Sequence, residues 1–135
     1  MADNKKTKTH VKFEIQMKNA SLSSWTSLIP SYSGLKGDLG RIAIIGGSPE
    51  YTGAPYFAAI SALRTGSDLV YILTQQEAAV PIKSYSPDLI VMPLLNQEGE
   101  NWMTRIYQSI GRCQSWVIGP GLGRQALYLD VLLYL

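Results

Sequence analysis

The chain has 135 residues, 46% hydrophobic and 16% charged, with one cysteine and a formal net charge of +2. That length suits one domain or part of a larger one, and the scarcity of charge beside an ordinary apolar fraction excludes disorder for the body of the chain. Cys113 cannot form an internal disulfide, and His10 is the only histidine, which excludes a disulfide scaffold and a Cys/His zinc site and points to a reducing, cytoplasmic setting.

Lys5, Lys6, Lys8, Lys12 and Lys18 gather the basic charge at the start of the chain, and from Asn19 onward seven basic residues face eight acidic ones. A nearly neutral body cannot neutralise many phosphates, so nucleic acid is not an expected partner. The runs Leu89 to Leu95 and Val131 to Leu135 fall far short of the ~20 residues of a membrane span. No apolar signal-peptide core is present, and Asp3 and Glu14 fit a mitochondrial transit peptide poorly.

Residues 1–20 are polar and without sustained period, which predicts a flexible arm; residues 21–135 form the globular part. Trp25, Leu28 and Ile29 predict a short helix ended by Pro30. Ile42-Ala43-Ile44-Ile45 is a continuous apolar run ending at Gly46-Gly47, the pattern of a strand buried on both faces of a parallel sheet. Residues 46–54 are loop chemistry, and Pro55 suits a first helical turn. The helix that follows carries Phe57, Ile60 and Leu63 at spacing three, expected to face the sheet, and stops at Gly66. Leu69 to Leu73 is a second strand, giving a strand–helix–strand unit of right-handed crossover length.

Thr74 and Glu77 have capping-box spacing, so a helix is predicted to start there and to be broken into two short turns by Pro81. Leu89 to Met92 is a third strand. Asn96 to Asn101 is polar loop, Trp102, Ile106 and Ile110 mark a helix face ending at Gly111, and Trp116 to Ile118 is a fourth strand running into Gly119-Pro120-Gly121-Leu122-Gly123. Alternating strands and helices predict an α/β fold with helices on both faces of a mostly parallel sheet.

Ligands of such sheets sit beyond the carboxyl ends of the strands, where the strand order reverses. Gly46-Gly47 through Ala54 leads into a helix N-terminus, which favours an anionic group, and the 119–123 loop is placed to form a second backbone wall of the same cleft. Glycines after strands also make tight turns, and on the residues alone both roles stay open. Neither loop is a P-loop or a G-x-G-x-x-G fingerprint. Asp38 and Asp68 flank strands, where a turn or capping role is expected ahead of catalysis. Lys36 and Arg41 border the first strand, where a solvated face is expected ahead of a phosphate contact, and Cys113 reads as a small packed residue.

The strings Lys36-Gly37-Asp38-Leu39-Gly40-Arg41-Ile42, Gly46-Gly47-Ser48-Pro49-Glu50-Tyr51-Thr52-Gly53-Ala54-Pro55-Tyr56-Phe57, Gly66-Ser67-Asp68-Leu69, Ile82-Lys83-Ser84-Tyr85-Ser86-Pro87-Asp88 and Val117-Ile118-Gly119-Pro120-Gly121-Leu122-Gly123-Arg124 resemble, in order, the ATP-dependent (S)-NAD(P)H-hydrate dehydratase family, also called carbohydrate kinase domain-containing proteins. The match runs from about Ile29 to Arg124. It implies a ribokinase-like three-layer fold and a nicotinamide-cofactor repair reaction, in which ATP, with Mg²⁺, drives loss of water from hydrated NADH or NADPH. Carried over by position, Ala54 and a glycine of the second loop, Gly121 above all with Gly119 beside it, contact the hydrated dinucleotide, while Gly46, Gly47 and Tyr51 shape the same wall.

The family's later Gly-rich segment with a Gly-Asp pair, which holds the ATP phosphates and the catalytic aspartate, has no counterpart here. The chain is therefore expected to be a truncated N-terminal half, with catalytic residues beyond Leu135 and no metal ligands of its own. Residues 125–135 depart from the family pattern. Two other readings stand beside this one: a non-catalytic binding or interaction fragment, and a related ribokinase-like small-molecule kinase. Self-association into a homo-oligomer is left open by the sequence.

Overall fold

Four apolar runs form one sheet: β1 (Arg41–Ile45), β2 (Leu69–Thr74), β3 (Ile90–Pro93) and β4 (Ser115–Ile118). The computed structural model describes residues 34–95 and 101–124. The arm at 1–20, the helix expected around Trp25 to Ile29, most of the 96–101 loop and the segment after Arg124 lie outside the described residues. Among those described, three helices connect the strands: α1 (Gly53–Arg64), α2 (Gln76–Tyr85) and α3 (Trp102–Ile110). No helix there is long and apolar enough to cross a membrane.

The strands lie in the order β3-β2-β1-β4 and every pair is parallel, as the unbroken apolar runs predict. From β1 the chain steps outward through β2 to β3, then returns to the other side of β1 as β4. The order thus reverses at β1, and the crevice between the carboxyl ends of β1 and β4 is the switch point of the sheet.

Side chains alternate across the pleat and build two cores. Ala43, Ile45 and Leu73 pack with Ile106, Ile110 and Leu122 on the α3 face. Ile44, Val70, Ile72 and Val91 pack with Ala59, Ala78, Ala79 and Ile82 on the α1/α2 face. The result is three layers, helix, sheet, helix, with Ile44, Ile45, Ile72 and Leu73 fully buried in the middle.

Four local expectations are corrected. In α1 the buried residues are Pro55 and Ala59, with Tyr56, Ala62 and Leu63 partly buried, whereas Phe57 is 67% exposed. An alanine at the centre of the contact stripe lets the helix approach the sheet; of the residues at spacing three, Leu63 packs beside it and Phe57 is left outside. The capping box is not made: Thr74 is the last residue of β2, and its Oγ1 donates to the carbonyl of Gly47 at 3.3 Å. Pro81 does not break α2, which runs through it. Burial of Ala78, Ala79 and Ile82 on the sheet holds the helix together across the missing N–H. Finally, β4 is not buried on both faces, since Trp116 and Val117 are partly exposed and β4 pairs only with β1 among the described residues.

Candidate functional site

The loop after β1 (residues 46–52) and the loop after β4 (residues 119–124) meet at the switch point. Gly119 N–H donates to the Ile45 carbonyl at 3.0 Å, and Gly47 N–H donates to the Pro120 carbonyl at 2.9 Å. Gly46 N–H donates to Leu73 O at 2.9 Å, so the first loop is also tied to β2. A side chain on Gly46 would strike the Pro120 carbonyl. Glycine is required there because one loop lies on the backbone of the other.

The same holds at Gly121, which has φ +65°; an added Cβ would stand 2.5 Å from the Tyr51 carbonyl and 3.3 Å from the Ala54 Cβ. A left-handed φ is costly for most side chains, and here there is also no room. Gly46, Gly47 and Gly121 therefore form a closed seam between the loops. The open cleft expected between the two loops is filled by backbone, and the space lies beside the seam.

That space is a cleft of about 560 Å³ lined by Ser48, Pro49, Glu50, Tyr51, Gln75, Gly123 and Arg124. Of the six residues singled out from sequence, Tyr51 lines it and is 59% exposed. Ala54 stands exposed in the first turn of α1, across the seam from Gly121, and Gly119 opens the second loop. All six are thus gathered around the carboxyl ends of β1 and β4. Ser48, Gln75 and Arg124 carried no role of their own in the sequence reading, and Gly123 entered it only as a member of the 119–123 loop.

The floor of the cleft is polar and uncharged. Gln75, 1% exposed at the junction of β2 and α2, donates from Nε2 to Leu122 O at 3.4 Å and ties the second loop to β2. Ser48 is 2% exposed, and its Oγ has no hydrogen-bond partner among the described residues. Charge is confined to Glu50 and Arg124, both exposed.

The other candidates lie at the opposite, amino end of the strands. Asp68 Oδ2 accepts from the backbone N–H groups of Gly37 at 2.8 Å and Leu39 at 3.0 Å, fixing the turn that enters β1. This is a turn-capping role, as the sequence suggested. Asp38 is exposed in that turn, and Arg41 Nη2 reaches the Lys36 carbonyl at 3.5 Å. Cys113, half-buried against the α3-side core, has its thiol pushed up by burial, with the Arg41 guanidinium pulling it down. No group of three His, Cys, Asp or Glu side chains that could hold a metal ion occurs among the described residues, and none of these residues is given a metal-binding role.

Residues 42–134 match the family profile described as NAD(P)H-hydrate dehydratase. The chain belongs to that family. Among its members, the ATP-dependent (S)-NAD(P)H-hydrate dehydratase of Pediculus humanus subsp. corporis is 58% identical over 93 residues, covering 65% of this chain and 29% of that protein. The protein of the same name from Entamoeba histolytica is 47% identical over 109 residues, covering 79% and 36%, and that of Rattus norvegicus is 51% identical over 100 residues, covering 70% and 27%. The chain thus spans about a third of the length of these relatives.

Solved structures place this segment of the family in a ribokinase-like fold. A ribokinase-like superfamily protein from Enterococcus faecalis V583 superposes with a TM-score of 0.65 at 22% identity, covering 77% of this chain and 34% of that one. A hypothetical protein of Streptococcus mutans superposes with a TM-score of 0.62 at 25% identity, covering 74% and 34%. Both glycine loops fall inside the family match. The residues that sequence reasoning missed were visible only as polar positions beside glycine: Ser48 follows Gly47 directly, and Gln75 ends up beneath Leu122, 47 residues away in the chain.

Proposed function

We propose that the cleft at the β1/β4 switch point is part of the binding site for hydrated NADH or NADPH, and that the chain represents the substrate-side portion of an ATP-dependent (S)-NAD(P)H-hydrate dehydratase. The observation that carries this is the seam itself: two loops from different strand ends are locked together by Gly47 N–H on the Pro120 carbonyl, beside a polar cleft, within the stretch matched to the family. Ala54, Gly121, Gly119 and Tyr51 border the substrate, and Gly46 and Gly47 hold the wall in place.

The chemistry of the reaction is direct. Hydroxide is a poor leaving group and phosphate a good one. Transfer of the terminal phosphoryl of ATP to the ring hydroxyl of the hydrate releases ADP; departure of phosphate and loss of a ring proton then restore the dihydronicotinamide. Such transfers depend on positioning and on neutralising the charge that spreads over the phosphoryl oxygens. The described residues supply a substrate wall and no cluster for that second task, so we assign phosphoryl transfer to the part of the relatives that this chain does not span. The relatives' names favour this reading over another small-molecule kinase of the same fold, and the lone cysteine fits a cytosolic site of action.

The test is recovery of dihydronicotinamide absorbance from hydrated NADPH with ATP, comparing this chain with one extended to the full length of the relatives. Turnover by the extended protein alone is the expected result. Turnover by neither, with a folded extended protein, removes the assignment.

A further inference from the structure

The buried hydroxyl of Ser48 is the one polar side-chain atom among the described residues that is buried without a hydrogen-bond partner. Such atoms are rare in folded proteins, because burial removes water's hydrogen bonds and nothing replaces them. Ser48 lines the cleft with Gly123 facing it from the second loop: a Cβ added to Gly123 would lie 3.5 Å from Ser48 Cβ and 3.7 Å from Oγ. The glycine leaves a gap over the hydroxyl. No hydrogen bond among the described residues holds the hydroxyl in place, so it is free to bond a group that enters the cleft.

Around Ser48 the floor holds Gln75 and the 122–123 backbone, with no charge, while Arg124 and Glu50 stand exposed at the rim. A phosphate brought to such a floor would be buried without a counter-charge, which is strongly unfavourable. A neutral amide that both donates and accepts suits it. Tyr51, 59% exposed on the same wall, offers a flat face to a ring above that amide. We propose, resting on the reading of the cleft as a dinucleotide site, that Ser48 Oγ hydrogen-bonds the carboxamide of the nicotinamide ring. The ring end of the substrate then points into the floor, and the phosphates remain at the rim beside Arg124. Ser48 is on this account a positioning residue that fixes the ring's orientation.

The substitution S48A tests it with two probes, NADPH and ADP-ribose, which lacks the nicotinamide. Titrated against the 135-residue chain, S48A is expected to weaken NADPH binding about tenfold, the scale of one lost hydrogen bond, and to leave ADP-ribose binding unchanged. Thermal unfolding without ligand is expected to show a midpoint equal to or above that of the unsubstituted chain, because a hydroxyl with no partner is removed. Unchanged NADPH affinity overturns the proposal, as does an equal loss for both probes, which would put Ser48 at the phosphate–ribose end. A lowered midpoint overturns it as well, by showing that the hydroxyl is bonded in the free chain. Failure of the unsubstituted chain to bind either probe is a separate result: it strikes the dinucleotide reading of the cleft, and the Ser48 assignment falls with it.

Discussion

Gly47 donates its backbone N–H to the carbonyl of Pro120 at 2.9 Å across 73 residues of sequence, and this contact joins the two loops that follow β1 and β4. At Gly46 and Gly121 the opposite loop's backbone occupies the space where a side chain would go. The proposed substrate wall and the fold therefore share the same residues, and substitutions there divide by which of the two they touch.

Ala54 and Gly121 separate the cases. Ala54 is exposed, so Ala54→Leu is expected to change unfolding free energy by no more than about 0.5 kcal/mol while weakening NADPH binding about tenfold by occupying the ligand's space. Gly121→Leu is expected to lose both, with a destabilisation of at least about 1–3 kcal/mol, because its Cβ meets the Tyr51 backbone. Denaturant unfolding beside ligand titration distinguishes them. Equal destabilisation by the two would mean that Ala54 belongs to the seam.

Asp68 is expected to matter for folding alone. Asp68→Ala removes the acceptor of two backbone N–H groups and should cost about 1–3 kcal/mol, with NADPH affinity in the surviving folded fraction unchanged. A loss of affinity at full folding would contradict a purely structural role for this carboxylate.

On α1, Ala59 is fully buried and Phe57 is 67% exposed. Ala59→Leu is expected to destabilise by about 1–3 kcal/mol through overpacking, whereas Phe57→Ala should stay within about 0.5 kcal/mol. The reverse ranking in urea unfolding would restore the Phe57, Ile60, Leu63 face.

The four strands were legible because short unbroken apolar runs between turn and helix signals have few other uses, and the crossover lengths fit parallel pairing. The face of α1 was not. A helix rich in alanine shows little contrast around its circumference, and the closeness of its approach to the sheet, which depends on Ala59, is a tertiary fact. Thr74 misled for a related reason: its spacing to Glu77 suits a cap, but pairing with Pro93 keeps it in β2. At the site, glycines after strand ends were visible as a class, and the family strings named which to watch. What spacing could not convey is that Gly46 and Gly121 turn toward the opposite loop. Nor could it show Ser48 and Gln75 as floor residues, because loop 119–124 covers them from the far end of the sequence.

Cys113 gives a check on the amino end of the sheet. Burial pushes its thiol up from the usual range, with Arg41 acting in the opposite direction. Less of it is thiolate near pH 8 than in the unfolded chain, and since the thiolate is the reactive form, alkylation in the folded chain is expected to be slower than in urea and to rise more steeply with pH. Sign follows from the linkage: the raised value favours the protonated thiol in the folded state, so this contribution to stability is present at low pH and is lost as pH rises through the folded value. Alkylation as fast in the folded chain as in urea would place Cys113 outside the packing described for it.

The most direct measurement of the central claim is an amide chemical-shift map of the ¹⁵N-labelled chain titrated with hydrated NADPH. The account predicts saturable shifts confined to residues 46–54, Gln75 and 119–124, with Gly37, Asp68 and Cys113 at the amino end unmoved. Saturable shifts centred on the amino end, or on the exposed face of α3, with the two glycine loops silent, would contradict it.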